Sequence, residues 1–237
     1  MIVPGQKINP HRLLKREMLW LMTHYCRHHH TYASHPNCYF EEKPSDGLIT
    51  EKVGLLDIES TGLKGNWDYV LSYCIKELDG PIYERMITPA EIRGGKFDVE
   101  LLKKCCKDMR QFDRIVVHFG SDRKHDLPFL RSRCLYWQMK HGIDLDFPLY
   151  KEVYVSDTYL MAKAKLSLHS YRLESICQHL GIPAKGHRLE PELWQKAQIG
   201  DKESLQWILE HNREDVISLE GVWKALIPYY RNSKISI

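Results

Sequence analysis

No stretch of the 237-residue sequence approaches the ~18 consecutive apolar residues of a membrane span, which excludes a spanning helix. The short apolar run at 18–22 follows a charged segment, and the expectation is a chain without a secretory leader. Glycine (14) and proline (11) are too sparse and scattered for a fibrous or disordered chain. No repeat recurs at solenoid spacing. The seven cysteines, at 26, 38, 74, 105, 106, 134 and 177, are an odd number without the spacing of a disulfide framework. They imply a reducing, cytoplasmic setting, where a specialised cysteine holds a metal rather than a bridge. There is no His-Glu-x-x-His and no nucleophile elbow, and Gly94-Gly95-Lys96 lacks the upstream glycine of a phosphate-binding loop. Charge of one sign does not dominate either. The 34 basic residues against 31 acidic leave +3, which permits a nucleic-acid partner without requiring one.

What is present reads as an α/β chain dividing near residue 50. Residues 1–50 hold a basic helix over 11–24, a Cys/His cluster and a turn-rich stretch at 42–47. Residues 51–237 carry strands first and helices later. The apolar run 53–58 reads as a central strand. Segments 69–78 and 82–88 flank Asp79-Gly80, a hairpin signal. Helix 98–110, strand 114–119, helix 127–139, strand 153–155 and helix 171–180 follow, the last stopped by Gly181 and Pro183. The longest helical stretch, 204–226, reads as two segments. The sum is a mixed sheet flanked by helices.

The carboxylates carry the chemistry. Asp57 and Glu59 are two apart in a strand, so they share a face while Leu56 and Ile58 take the other. Side by side at a buried strand end they repel, and desolvation disfavours both charges, so either a cation or solvent must compensate them. Asp126 opens a helix in His125-Asp126-Leu127-Pro128-Phe129-Leu130, as an N-cap or as a site acid. In His211-Asn212-Arg213-Glu214-Asp215-Val216, His211 and Asp215 are four apart on one helix face. They form a surface pair or, since Val216, Leu219 and Val222 place an apolar stripe beside Asp215, a group at the core edge. Acids brought in this order from separate elements suit a site for two divalent cations, with oxygen ligands selecting Mg²⁺ or Mn²⁺.

Three segments then resemble the motifs of a known family. Leu55-Leu56-Asp57-Ile58-Glu59-Ser60-Thr61-Gly62 looks like the first motif of the DEDD 3′–5′ exonucleases, the DnaQ-like branch of the ribonuclease-H-like fold. Val116-Val117-His118-Phe119-Gly120 with 125–130 looks like the second, and 211–216 like the third. The resemblance spans about 51–228 and is greatest to the bacterial and phage "predicted exonuclease" (YprB-like) subgroup, which segments 166–180 and 181–187 also fit. It implies that Asp57, Glu59, Asp126 and Asp215 bind two Mg²⁺ or Mn²⁺, that His211 orients or deprotonates the attacking water, and that Thr61 and Gly62 meet substrate. It also implies a bacterial cell or phage-infected host, and replication or repair proteins as partners. Two departures stand out. One branch of the family has Tyr four residues before the last Asp and the other has His five before it, whereas here His stands at the Tyr spacing. Phe119 occupies a position where Asn is common.

Outside those motifs, Cys26-Arg27-His28-His29-His30-Thr31-Tyr32-Ala33-Ser34-His35-Pro36-Asn37-Cys38 concentrates metal-ligand side chains. Cys26, His30, His35 and Cys38 are the expected ligands of one structural Zn²⁺, with His28 as the alternative to His30 and a solvated His-rich loop as the competing reading. His11, Arg12, Lys15 and Arg16 add a basic face suited to nucleic acid. Lys185-Gly186-His187-Arg188 is a basic loop suited to phosphate, with Lys185 and Arg188 as substrate contacts. Arg123 and Lys124, before Asp126, face phosphate or solvent. Trp67 and Tyr69 stack on a base or fill the core. The expectation is therefore a metal-dependent 3′–5′ exonuclease acting on DNA or RNA. Its rivals are an endonuclease on the same fold and a non-catalytic nucleic-acid-binding or replication-accessory protein.

Overall fold

Strand β1 (Val53–Ser60) shows how the sequence sorts its faces. Leu56 and Ile58 join one buried apolar cluster, while Val53 and Leu55 join a second on the opposite side. The alternation repeats in β4 (Arg114–Val117), where Ile115 and Val117 join the first cluster and Val116 the second. A strand buried on both faces is a near-continuous apolar run, as both sequences are. Each fully buried Leu or Ile contributes about 2 kcal/mol by leaving water.

The structure, a computed structural model, describes residues 15–42, 51–122, 124–150, 152–183 and 190–230. His11, Arg12, Arg123 and the 184–189 loop with Lys185 and Arg188 lie outside the described residues. The chain forms two units, Met1–Glu51 and Lys52–Ile237. In the first, α1 (Lys15–Thr23) and α2 (Pro36–Glu42) flank a turn closed by a bridge between Tyr25 and Thr31.

The second unit is built on a five-stranded mixed sheet in the order β3-β2-β1-β4-β5. β2 (Val70–Glu77) runs antiparallel to β1 and to β3 (Ile82–Met86), around the expected turn at Asp79. β4 is parallel to β1 and to β5 (Tyr154–Asp157). After α3 (Pro89–Arg93), α4 (Val99–Met109) and α5 (Asp126–His141) supply the first cluster. α6 (Thr158–Lys165), α7 (Leu173–Leu180) and α9 (Lys202–Leu226) supply the second. α8 (Pro191–Gln198) packs along α9. The expected break within 204–226 is absent: α9 is one helix of 25 residues. The polar run at 210–215 does not interrupt it, because His211, Asn212 and Asp215 continue its buried face. Among the described residues no helix is long and apolar enough to cross a membrane.

Candidate active site

Helix α9 crosses the sheet in the sense opposite to β1. Leu219, Val222, Trp223 and Leu226 pack with Val53 and Leu55. Two turns earlier in α9, His211 and Asp215 meet Glu59 near the far end of β1. His211 Nε2 lies 3.6 Å from Asp215 Oδ2 and 3.9 Å from Glu59 Oε1. One ligand atom from each of the three lies within 4.8 Å of the others. His211 and Asp215 are buried, so the reading of this pair as a surface ion pair does not hold.

The other two acids stand beside this group without entering it. Asp57 is half-buried on the α9 face of β1, directly across from Cys74 on β2, and its charge helps raise that thiol. Asp126 is the first residue of α5, and its side chain is not the helix cap. Its Oδ2 is buried without a hydrogen-bond partner. Burial, then the charges of Asp157 and Asp215, push its carboxyl up to about 8. Acids outside one 4.8 Å group remain compatible with a binuclear site, because ligands at its two ends lie up to about 8 Å apart.

Two further polar side chains are buried here without a hydrogen-bond partner: Asn212, on α9, and the hydroxyl of Ser72, which faces Glu59 across the β1–β2 ladder. Orphaned polar atoms beside carboxylates fit a hard divalent cation and its water, as does a donor set of oxygens with one imidazole.

The loop before α5 is held by a residue the sequence reading missed. Asp157 caps α6, and its carboxylate accepts from the backbone N–H of Phe119 at 3.0 Å, of Ser121 at 3.2 Å and of Tyr159 at 2.9 Å, and from the Ser121 hydroxyl at 2.6 Å. An acid at a strand-to-helix junction in Ser156-Asp157-Thr158-Tyr159 was the available signal. So held, Phe119 adopts φ of 59°, which a bulky residue rarely takes. Phe119 is 44% exposed, and its ring packs edge-on against Tyr159 and carries the Lys124 ammonium 4.5 Å from its centroid. A cleft of about 600 Å³ opens there, lined by His118, Phe119, Tyr159, Tyr171 and Arg172 among others.

Thr61 and Gly62 lie just beyond β1. The Thr61 hydroxyl accepts from Tyr69 N–H at 3.1 Å, and Gly62 abuts the Asp68 carboxylate, so both are engaged in their own turn. Trp67 is exposed, whereas Tyr69 is half-buried and donates to the Gln198 carbonyl. In the N-terminal unit, the structure gathers Cys26, His28, His35 and Cys38, and replaces the expected His30 with His28. The carbonyl of His30 closes the turn by accepting from Cys26 N–H, and its ring lies edge-on to His35 instead of joining the group.

The sheet order, the helices on both faces and the acidic cluster at the end of β1 define a ribonuclease-H-like protein. Residues 55–227 match the model of the RNase_H superfamily, and the chain belongs to that family, a superfamily of nuclease type. Comparison with curated protein sequences found no match. Among solved structures, the family B DNA polymerase of the hyperthermophilic archaeon Pyrobaculum calidifontis is similar over 78% of this chain, at 18% identity and a TM-score of 0.54. This chain spans 26% of that polymerase chain, and the likeness is one of fold. Brucella melitensis NrnC bound to pGG aligns over 75% of this chain and 72% of its own, at 20% identity and a TM-score of 0.47.

Proposed function

We propose that this chain is a metal-dependent nuclease that hydrolyses phosphodiester bonds of DNA or RNA and removes nucleotides from a 3′ end. The observation that carries the reading is the approach of Glu59, His211 and Asp215 within 4.8 Å of one another, beside the buried acid Asp126. Asp57, Glu59, Asp126 and Asp215 would hold two Mg²⁺ or Mn²⁺ ions, which when bound polarise the phosphate and acidify water. His211 takes the proton of the attacking water at Nε2, since imidazole titrates near neutral pH. Phe119 and Tyr159 offer a terminal base a stacking face, and Lys124 a cation for its phosphate. Thr61, Gly62, Lys185 and Arg188 complete the substrate contacts of this reading. The 3′ polarity and the YprB-like subgroup rest on the motif resemblance. The same reading takes the cytoplasm as the setting and replication or repair proteins as the partner class.

The test is degradation of matched 5′-labelled DNA and RNA oligonucleotides with Mg²⁺ or Mn²⁺. A ladder of stepwise shortened products, abolished by EDTA and by Asp215→Asn, is expected. A single internal cut would make the chain an endonuclease on this fold. Binding without turnover would make it a nucleic-acid-binding or replication-accessory protein.

A further inference from the structure

We infer that Cys26, His28, His35 and Cys38 bind one structural zinc ion, and that this ion holds the N-terminal unit in its fold. The site shares no residue with the acidic cluster and does not depend on the nuclease reading.

The geometry is specific. His28 Nδ1 lies 3.2 Å from Cys38 Sγ and 3.9 Å from Cys26 Sγ. His35 Nδ1 lies 3.3 Å from Cys38 Sγ and 3.6 Å from Cys26 Sγ. All four atoms fall within 4.8 Å of one another. A tetrahedral ion with the usual Zn–S and Zn–N bond lengths sets its sulfur and nitrogen ligands about 3.6 Å apart, and the four contacts bracket that edge. Each imidazole offers the same nitrogen, Nδ1, so both rings approach the sulfurs in the same way.

The local chain explains how thirteen residues build this. The N–H of Cys26 donates to the His30 carbonyl and that of His29 to the Cys26 carbonyl, a tight turn with His29 at φ of 62°. The turn returns His28 toward Cys26 and spends the backbone of His30. On the other side, His35 precedes α2 and Cys38 lies in its first turn, three residues on, so both face the same way.

The donor chemistry selects the metal. Two sulfurs and two imidazoles suit zinc, whereas the oxygens around Glu59 and Asp215 suit a hard ion. Four protein ligands fill a tetrahedron and leave no position for substrate or water, so the ion is structural.

Energetics point the same way. Among the described residues, the buried apolar cluster of this unit comprises Leu21, Cys26, Tyr32, Cys38 and Tyr39, with Trp20 against it. Two of those five are the proposed sulfur ligands. So small a cluster does not hold a fold by burial alone, and metal binding supplies the difference.

The test uses the full-length chain. After passage over a chelating resin it is expected to retain about one equivalent of zinc, the complement of one closed site. Exchange of zinc for cobalt is expected to give the intense visible bands of tetrahedral Co²⁺ and a thiolate-to-cobalt charge-transfer band. This needs no variant and so survives any folding defect. Cys38→Ser and His28→Ala are expected to lose the zinc, and His30→Ala and Asp215→Asn to keep it. Absence of zinc together with absence of the thiolate–cobalt band would overturn the proposal, as would a Cys26–Cys38 disulfide in the purified chain. Loss in His30→Ala with retention in His28→Ala would overturn the ligand set.

Discussion

A β-carbon added to Gly120 would lie 2.1 Å from Asp126 Oδ2. No side chain fits in that space, so residue 120 must be glycine for the acid to stay where it is. Leu127 N–H donates to the Gly120 carbonyl at 2.9 Å, which ties the loop to the first turn of α5. Gly120→Ala is therefore expected to displace Asp126 and to lower nuclease turnover about 100-fold, the cost of moving a reacting group by an ångström. Turnover on the labelled oligonucleotide measures this, and wild-type activity in the variant would refute it.

Asp157 positions that loop through acceptors only. Asp157→Asn keeps the shape but turns one acceptor into a donor aimed at N–H groups. A loss of about 2 kcal/mol in chemical denaturation is expected, the size of a buried hydrogen bond left unmade. Turnover should fall with it, because Phe119, Gly120 and Ser121 lose their anchor. A variant with wild-type stability would show that Asp157 is dispensable.

Phe119 separates substrate binding from folding. Phe119→Gly relieves the left-handed backbone, a gain of about 1 kcal/mol, and loses an edge-on contact with Tyr159 of about the same size. The melting temperature is expected to stay within a few degrees. KM for oligonucleotide should rise about 10- to 100-fold, the cost of one lost base-stacking face. An unchanged KM would remove Phe119 from the substrate path.

Away from the site, Asp98 is buried and accepts four hydrogen bonds from three residues. It takes a paired contact from Arg133 at 2.9 and 2.8 Å, the Trp137 indole N–H at 2.9 Å and Val70 N–H at 3.0 Å. Asp98→Ala leaves the buried Arg133 guanidinium unpaired and should cost about 3–5 kcal/mol in urea unfolding. A loss below 1 kcal/mol would contradict this account.

The pH dependence of stability has one clear contributor at the β2–β3 turn. Burial raises the Glu220 carboxyl, but Asp79 N–H, Lys224 and Lys76 outweigh it and hold the group below its ordinary value. A carboxyl lowered in the folded state contributes stability that is fully present above its unfolded pKa and is lost as pH falls through the folded one. Glu220→Gln should therefore destabilise by about 1 kcal/mol at pH 7 and converge with wild type in acid. A gap that widens toward low pH would reverse the sign.

The sequence by itself determined the strands, their faces and which polar groups share a strand or helix face. Period-two burial around Leu55, Leu56, Asp57, Ile58 and Glu59 follows from the pleat, and the His211–Asp215 pair from the helix repeat, because both patterns are local. The choice of Asp126 over other acids before a helix came from motif order rather than from any local rule. The tertiary structure alone decided which of these groups meet. The crossing of α9 over β1 brings Glu59 to His211 while Asp57 sits across from Cys74. The approach of β5 to the loop after β4 gives Asp157 its role. The turn at 26–30 selects His28 over His30. Each depends on contacts between segments remote along the chain or on side-chain directions set by a turn, and neither leaves a periodic trace in the order of residues.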